Sequence, residues 1–167
     1  RGAFLYDETN KTFRYYGFYG AGPVKNVCML VDNRGNTWVG TETGLYLLNR
    51  ERNRFEMFDT RDSLLRGHAV ASLEEGSDGT IWIAGNNGLF CVDPEGKRVV
   101  YHLTAEDGLT GNQFNKRASL HARNGTLYFS GINGITLFRP EQLQRNGYVP
   151  PVYLTGLSIN DRSVDLD

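Results

Sequence analysis

The sequence predicts an all-β protein built from repeated units, and three observations support this fold class. Trp38, Trp82 and Tyr128 recur at intervals of 44 and 46 residues, each between two glycines at fixed distances. The 167 residues include nine Phe, nine Tyr and two Trp, which are residue types that favour strands. Helical periodicity is not sustained anywhere, and only 140–146 could form a helical turn. A period of this length indicates units of four short antiparallel strands.

The repeat divides the first 143 residues into four pieces. Segment 2–17 aligns with the third and fourth strands of the first full unit, 44–59, so the chain begins inside an earlier unit. The last unit shows three strands before Pro140, and a proline is expected to end the strand pairing there. The pieces are 1–19, 24–59, 67–103 and 114–138.

Units of this kind form the blades of β-propellers, so the sequence predicts a partial β-propeller of about three blades over 1–143. A closed ring needs ~4–8 blades, and these pieces therefore read as the C-terminal blades of a larger ring. The fourth strand of the last blade is expected to come from the other end of that ring, which removes an open sheet edge. Segment 144–167 is predicted to be a linker followed by the first strand of a β-sandwich.

The glycines of the repeat indicate turns and close backbone approach. One set lies three residues before the aromatic position, within tight hairpin turns, and the other opens each third strand six residues after it. The two sets are Gly35, Gly79, Gly125 and Gly44, Gly88, Gly134. The aromatic residues Trp38, Trp82 and Tyr128 are predicted to pack between adjacent blades, with stacking on a sugar as the alternative.

Composition and charge exclude several classes of function. No run of ~18 apolar residues is present, so no membrane-spanning segment is predicted. The net charge is −1 and no basic stripe occurs, which argues against contact with nucleic acid. Cys28 and Cys91 fall on different strands of different repeats; two unpaired thiols are expected, with a disulfide as the alternative that the spacing does not require. The histidines show no metal-ligand spacing, and neither a metal site, a cofactor nor a catalytic group is predicted; they are His68, His102 and His121.

Candidate ligand-binding residues lie in the turns between the second and third strands of each unit. Their short polar side chains suit a hydroxyl-rich ligand, although Asn and Asp also make turns for purely structural reasons. The candidates are Glu42, Thr43, Asn86, Asn87 and Asn133. The longest connection between units is 107–115, where Asn112 and Asn115 are expected to fix the loop through bonds from side chain to backbone.

The residues also carry a family resemblance. Segments 32–58 and 76–102 resemble the two-component regulator propeller repeat, and 105–143 resembles the last blade of such propellers. Segment 148–164 is similar to the first strand of the immunoglobulin-like domain with three tyrosines that follows these propellers. The order of last blade, Pro150-Pro151 and sandwich strand is more specific than any single repeat.

The resemblance implies a hybrid two-component sensor of Bacteroides-like bacteria. Such sensors carry two seven-bladed propellers and the sandwich domain in the periplasm, followed by a membrane helix and a histidine kinase. The resemblance therefore implies a non-catalytic sensory segment of a protein anchored in the inner membrane, with an oligosaccharide as ligand. Expected partners are the remaining blades, the sandwich domain, and a second copy of either the fragment or the parent.

Two alternatives come from other functional classes. A propeller enzyme acting on polysaccharide would need acids and a base on loops facing the channel, for which the candidates are Glu42, Asp62, His68 and Asp107. A protein-interaction scaffold would use the flat faces of the blades and bind no small ligand.

Overall fold

The structure is a computed structural model in which residues 2–20, 25–61, 64–143, 157–159 and 162–164 are described. The predicted all-β class is confirmed, since the helices within these residues are two short 3₁₀ turns, Ala105–Asp107 and Pro140–Gln142. Asp62, Pro150-Pro151 and the rest of the predicted linker 144–156 lie outside the described residues.

The strands follow the order that the repeat predicts. The first seven are β1 (Gly2–Asp7), β2 (Thr12–Phe18), β3 (Asn26–Val31), β4 (Thr37–Thr41), β5 (Gly44–Asn49), β6 (Arg54–Met57) and β7 (Val70–Glu75). The remainder are β8 (Ile81–Gly85), β9 (Leu89–Asp93), β10 (Arg98–Leu103), β11 (Phe114–His121), β12 (Leu127–Gly131), β13 (Gly134–Phe138), β14 (Leu157–Ile159) and β15 (Arg162–Val164).

Each repeat forms a sheet of its own. The first sheet contains β3 to β6 in sequential antiparallel order, the second contains β7 to β10, and the third contains β11 to β13. Among the described residues the third sheet has no fourth strand, and the 3₁₀ turn that starts at Pro140 follows β13 directly. Proline lacks the N–H needed for continued pairing, which explains why the strand ends there.

The N-terminal hairpin joins the first sheet. β1 and β2 pair antiparallel, and β2 then pairs parallel with the outer strand β6 through two residue pairs, so that the sheet has six strands. Aromatic packing holds this edge, because the Phe18 ring stacks on Phe55 and meets the edge of Tyr46, with both centroid distances 5.0 Å. Strands β1 and β2, which the repeat assigns to an earlier unit, thus extend the first sheet in this structure.

The C-terminal segment forms a hairpin. β14 and β15 pair antiparallel over three residue pairs, from Leu157↔Val164 to Ile159↔Arg162. The single sandwich strand that the sequence predicts over this segment is therefore replaced by two short strands. A two-stranded hairpin is at most marginally stable by itself.

The core lies between successive sheets. Trp38 of the first sheet packs with Ile81 and Ile83, which lie on one face of the second sheet. Trp82 lies on the opposite face of that sheet and packs with Phe129 of the third. Both tryptophans are buried, and a fully buried large apolar side chain contributes about 1.5–3 kcal/mol. The order of packing is therefore the same at both interfaces. The face of one sheet that carries the tryptophan packs against the face of the next sheet that does not carry the repeat aromatic.

The turns explain the glycines of the repeat. Gly35, Gly79 and Gly125 have φ of 78°, 79° and 82°, in the left-handed region that favours glycine. The glycines that open the third strands also have positive φ, namely Gly44, Gly88 and Gly134. Hairpins of uniform geometry place the inner strands β3, β7 and β11 side by side, with β7 in the middle.

Candidate functional site

The inner strands of the three sheets line an open cleft of about 470 Å³. Pockets for small ligands typically measure about 300–1,000 Å³, so this volume is sufficient for a sugar-sized molecule. We call it the inner cleft, and its principal lining residues are Cys28, Met29, Ser72, Glu74, Arg117 and Ser119.

The strand β7 contributes two polar residues to the inner cleft. Ser72 pairs opposite Ala84 and Glu74 opposite Trp82, so both lie on the face of the second sheet that packs against the third. Ser72 is 1% exposed, and its Oγ has no hydrogen-bond partner among the described residues. A buried hydroxyl left without a partner costs about 1–3 kcal/mol.

A bulge with more extra residues distinguishes β11 from the other inner strands. In β7, two residues lie between Val70 and Leu73, whose partners on β8 are two positions apart. In β11, four residues lie between Phe114 and Ser119, whose partners on β12 are also two positions apart. The two residues by which the third repeat is longer than the second are therefore accommodated in this bulge.

The bulge is held in place and turns a cation into the cleft. Asn115 donates from Nδ2 to Ser130 Oγ and to the Gly131 carbonyl, both at 3.2 Å. Arg117 has φ of 58°, a left-handed conformation that is unfavourable for a residue with a Cβ atom. Bulges are frequent beside functional sites because they redirect side chains. Here the redirected residue, Arg117, lines the inner cleft.

An ion pair joins the first and third sheets beside the bulge. Lys116 Nζ lies 3.1 Å from Glu42 Oε1, and Lys25 Nζ lies 3.8 Å from Glu42 Oε2. The hydrogen bond from Lys116, aided by the charge of Lys25, holds the pKa of Glu42 below its usual value despite some desolvation. All three side chains are exposed to solvent, so the pair is screened by salt and adds little stability.

Neither Cys28 nor Cys91 is joined in a disulfide bond in this structure. Cys91 is buried, whereas Cys28 is half-buried in the wall of the inner cleft. Burial raises the pKa of the Cys28 thiol to about 12, although the Gly40 backbone and the positive charge of Arg117 act in the opposite direction. Cys28 is therefore a protonated, weakly polar wall group at neutral pH.

The predicted ligand-binding turns each have structural contacts. Glu42 forms the ion pair above, and the Thr43 N–H donates to Thr41 Oγ1 at 3.1 Å. The Asn87 carbonyl lies 2.7 Å from His102 Nε2, and the Asn133 side chain packs against Gly111; Asn86 is exposed. Of these residues, Glu42 bonds through its side chain to Lys116 in the bulge of the third sheet.

The residues named for an enzyme have separate structural contacts. Asp107 accepts a hydrogen bond from the Thr104 N–H at 2.8 Å and caps the first 3₁₀ turn. The His68 ring packs against Phe90 with centroids 5.7 Å apart. Within the described ranges, no cluster of three or more His, Cys, Asp or Glu side chains could hold a metal ion.

The expectation for the loop 107–115 is confirmed. Asn112 Oδ1 accepts a hydrogen bond from the Ala105 N–H at 2.7 Å, and Asn115 bonds the Gly131 carbonyl. The Asn112 carbonyl also accepts a bond from the Gly88 N–H at 2.8 Å. The loop thereby links the turn of the second sheet to the start of β11.

Sequence reasoning missed Arg117, Lys116 and Ser72 as site residues. A signal for the first two was present, because the longer interval of the third repeat indicates an insertion. Ser72 had no such signal, since its burial by the packed sheets, without a hydrogen-bond partner in the described ranges, depends on tertiary structure. The described part of the chain contains no helix with the length and hydrophobicity required to cross a bilayer.

The chain has a relative among known proteins that can be aligned in sequence. The chain is 34% identical over 125 residues to histidine kinase P4 of Formosa agariphila, an alignment that covers 74% of this chain and 9% of the relative. No protein-family model matches the chain.

Solved structures with a similar fold include extracellular domains of Bacteroides thetaiotaomicron. That of the putative hybrid two-component system BT3049 has a TM-score of 0.74 and 22% identity, covering 99% of this chain and 24% of that one. That of BT4673 has a TM-score of 0.65 and 17% identity over 82% of this chain and 19% of its own. PorZ, a surface component of the type-IX secretion system of Porphyromonas gingivalis, has a TM-score of 0.62 and 17% identity, covering 81% and 22%.

These proteins are much longer than the chain, which spans 9% of the histidine kinase and about a quarter of the first extracellular domain. The chain is thus similar in sequence to part of a histidine kinase, and it shares its fold with parts of the extracellular domains of hybrid two-component systems.

Proposed function

We propose that the chain is a non-catalytic segment of the periplasmic sensory region of a hybrid two-component sensor histidine kinase. The observation that carries this proposal is the fold likeness over 99% of the chain to an extracellular domain of such a system. The sequence likeness to a histidine kinase points to the same class. The parent is proposed to be anchored in the inner membrane, with its kinase on the opposite side from this segment.

We further propose that the three sheets are blades of a β-propeller. The one-directional stacking supports this arrangement, because each tryptophan face covers the opposite face of the next sheet. Apolar side chains remain exposed on the outer faces of the stack, with Met29 and Val31 at one end and Leu120 and Leu137 at the other. Further blades of the parent would cover these faces, and the sandwich domain would follow the last blade.

The proposed signal is an oligosaccharide derived from a complex glycan. The polar turns and the inner cleft supply amide, hydroxyl and charged groups, which suit hydroxyl-rich ligands. Binding would alter blade packing or the geometry of a dimer and so bias a kinase with two states. The enzyme alternative gains no support from the described site, because Asp107 and His68 have the separate contacts given above.

A test of the proposed function uses the complete natural protein that carries this chain, reconstituted in lipid vesicles. Autophosphorylation is measured with and without neutral and anionic oligosaccharides of defined length. We expect one ligand class to change the rate, and a variant of the kinase histidine serves as the control for background. If no oligosaccharide changes the rate, or if a purified protein partner changes it instead, the sensor proposal for glycans is wrong.

A further inference from the structure

The segment that follows the last strand of the third sheet contacts the second sheet. We call it the exit segment, 139–143, because the chain continues from it toward the predicted sandwich domain. It contains the 3₁₀ turn Pro140–Gln142, which is closed by hydrogen bonds from the N–H groups of Gln142 and Leu143 at 3.0 Å and 3.1 Å. Leu143 at the end of the turn packs against the core cluster that contains Trp82 of the second sheet.

A hydroxyl group of the second sheet bonds to the exit segment. Tyr101 lies on the outer strand β10, and its hydroxyl donates to the Leu143 carbonyl at 3.3 Å in a partly buried position. The bond joins residues that are 42 apart in the sequence, so it connects the second sheet directly to the chain beyond β13. It is longer than the usual ~2.8 Å of a hydroxyl bond, and a small shift of either partner is therefore enough to open it.

Aromatic rings pack beside this bond. The Tyr101 ring stacks on Trp82, with centroids 6.1 Å apart and ring planes at 13°. Trp82 also packs on Phe138, the last residue of β13, with centroids 4.8 Å apart. Removal of the Tyr101 hydroxyl alone leaves the ring available for these contacts, so the bond can be tested separately from the packing.

The preceding repeat has a bond at the same carbonyl, but from the backbone. Leu143 corresponds to Lys97 of the second repeat, 46 residues earlier (143 − 97). The Lys97 carbonyl accepts a hydrogen bond at 2.8 Å from the N–H of Arg61, which follows the outer strand of the first sheet. In both repeats this carbonyl thus bonds to the sheet before it or to the chain that leaves that sheet. At the second junction the bond depends on one side chain, that of Tyr101.

We propose that the Tyr101–Leu143 bond couples the packing of the second sheet to the position of the exit segment, and through that segment to the sandwich domain. A shift of the second sheet relative to the third opens the bond and releases the exit segment. The bond therefore supplies an element with two states, which transmission between distant sites requires. Tyr101 is a positioning residue in this scheme. Its role in signalling rests on the proposed sensory function, whereas the contact itself does not.

The test compares the complete natural protein with its variants Tyr101→Phe and Tyr128→Phe. Tyr101→Phe removes the hydroxyl and keeps a ring beside Trp82, so it is expected to fold. Tyr128→Phe is the matched control, because Tyr128 lies on β12 of the third sheet and its hydroxyl makes no hydrogen bond within the described ranges. Thermal unfolding shows whether each variant is folded.

Hydrogen exchange measured by mass spectrometry reports on the exit segment. Peptides that cover 139–143 are expected to exchange about two- to tenfold faster in Tyr101→Phe than in the wild type, because a neutral hydrogen bond makes a modest net contribution to local stability. Exchange of the same peptides in Tyr128→Phe is expected to equal that of the wild type.

Autophosphorylation in lipid vesicles reports on transmission to the kinase. The probes are the neutral and anionic oligosaccharides of the assay described above. With a probe that changes the rate of the wild type, Tyr101→Phe is expected to reduce the ratio of stimulated to unstimulated rates by about twofold or more, since an open bond transmits less of the shift. Tyr128→Phe is expected to keep the ratio of the wild type.

Three results overturn the coupling. They are equal exchange of 139–143 in the wild type and Tyr101→Phe, equal acceleration in both variants, and faster exchange in Tyr101→Phe with an unchanged kinase response. In the third case the sensory function stands, because the kinase still responds. If no oligosaccharide changes the rate of the wild type but exchange is faster in Tyr101→Phe alone, the coupling of the second sheet to the exit segment stands and the proposed function is wrong.

Discussion

At the scale of single residues, Asp32 organises the first repeat. Its carboxylate accepts hydrogen bonds from the Trp38 indole at 2.8 Å, from the Asn36 side chain at 2.9 Å and from the backbone N–H groups of Arg34 and Asn36. Burial disfavours the charged form, but these bonds together outweigh it and hold the pKa of Asp32 below its usual value. The buried tryptophan of the first repeat is therefore fully satisfied.

The second repeat lacks this carboxylate. Gly76 occupies the position equivalent to Asp32, and the Trp82 Nε1 group has no hydrogen-bond partner among the described residues. A Cβ atom on Gly76 would lie 3.2 Å from that nitrogen. Trp38 and Trp82 occupy the same place in the repeat but differ in the hydrogen bonding of their indole N–H groups. The difference comes from one position, which is Asp32 in the first repeat and Gly76 in the second.

The substitution Asp32→Ala is expected to destabilise the protein by about 2–4 kcal/mol, because it leaves a buried indole N–H and turn amides without an acceptor. Chemical denaturation followed by tryptophan fluorescence measures the loss. Asp78→Ala is the control, since Asp78 caps an exposed turn through Thr80, and its cost should be clearly smaller. Equal costs for the two variants would contradict the role given to Asp32.

The difference in stability between the wild type and Asp32→Ala is expected to depend on pH. Because the folded-state pKa of Asp32 is lowered, its contribution is present above the unfolded value, 3.8, and is lost as pH falls through the folded value. The difference in stability between wild type and Asp32→Ala should therefore shrink below pH 3.8 and stay constant at neutral pH. A difference that grows with acidity would show that the carboxylate is not the stabilising form.

At the scale of strands and turns, the hairpin between β8 and β9 depends on close backbone approach. Gly88 has φ of 89°, and a Cβ atom there would lie 2.2 Å from the Leu103 carbonyl oxygen at the end of β10. Its N–H donates to the Asn112 carbonyl, so the same residue also anchors the loop before β11. Glycine is required here for both conformation and space.

Gly88→Ala is therefore expected to cost about 2 kcal/mol or more, since left-handed strain and a backbone collision add together. Gly125→Ala is the matched control, because its φ of 82° is similar but the nearest atom to a Cβ is the Glu141 carboxylate oxygen at 3.7 Å. The control should lose about 1–2 kcal/mol from strain alone. Chemical denaturation of the two variants compares them, and a smaller loss for Gly88→Ala would contradict the contact with Leu103.

At the scale of the whole molecule, the described residues leave apolar side chains exposed at both ends of the stack of sheets. On the last sheet Leu120, Ile135 and Leu137 are 58%, 59% and 60% exposed, and they lie on the same face as Tyr128. This face corresponds to the one on which Trp38 and Trp82 pack against the following sheet. Exposed apolar patches of this kind mark interaction surfaces.

The 167-residue chain by itself is expected to self-associate through these faces, because their apolar side chains are exposed within the described part of the chain. Analytical ultracentrifugation of the wild type and of the double variant Ile135→Lys, Leu137→Lys measures the effect, and the variant should associate at least about tenfold more weakly. Ile132→Lys is the control, since Ile132 is equally exposed but lies in the turn between β12 and β13. Equal association in all three proteins would locate the contact elsewhere.

The sequence by itself determined the features that are local or periodic. The spacing of Trp38, Trp82 and Tyr128 established the repeat, and the accompanying glycines established its turns, because a hairpin needs positive φ within a few residues of its strands. The prolines and the strand count explained why the last sheet ends after β13. Asp32 could also have been found, since its partners all lie within six residues.

Only the tertiary structure decided which distant residues share a site. Lys116 and Glu42 are 74 residues apart, and their contact depends on how the inner strands of the three sheets lie side by side. The pairing of β2 with β6 likewise follows from packing between elements, as does the burial of Ser72 Oγ without a partner among the described residues. No local pattern encodes these relations, because the angle between sheets is set by the sum of many apolar contacts rather than by any one segment.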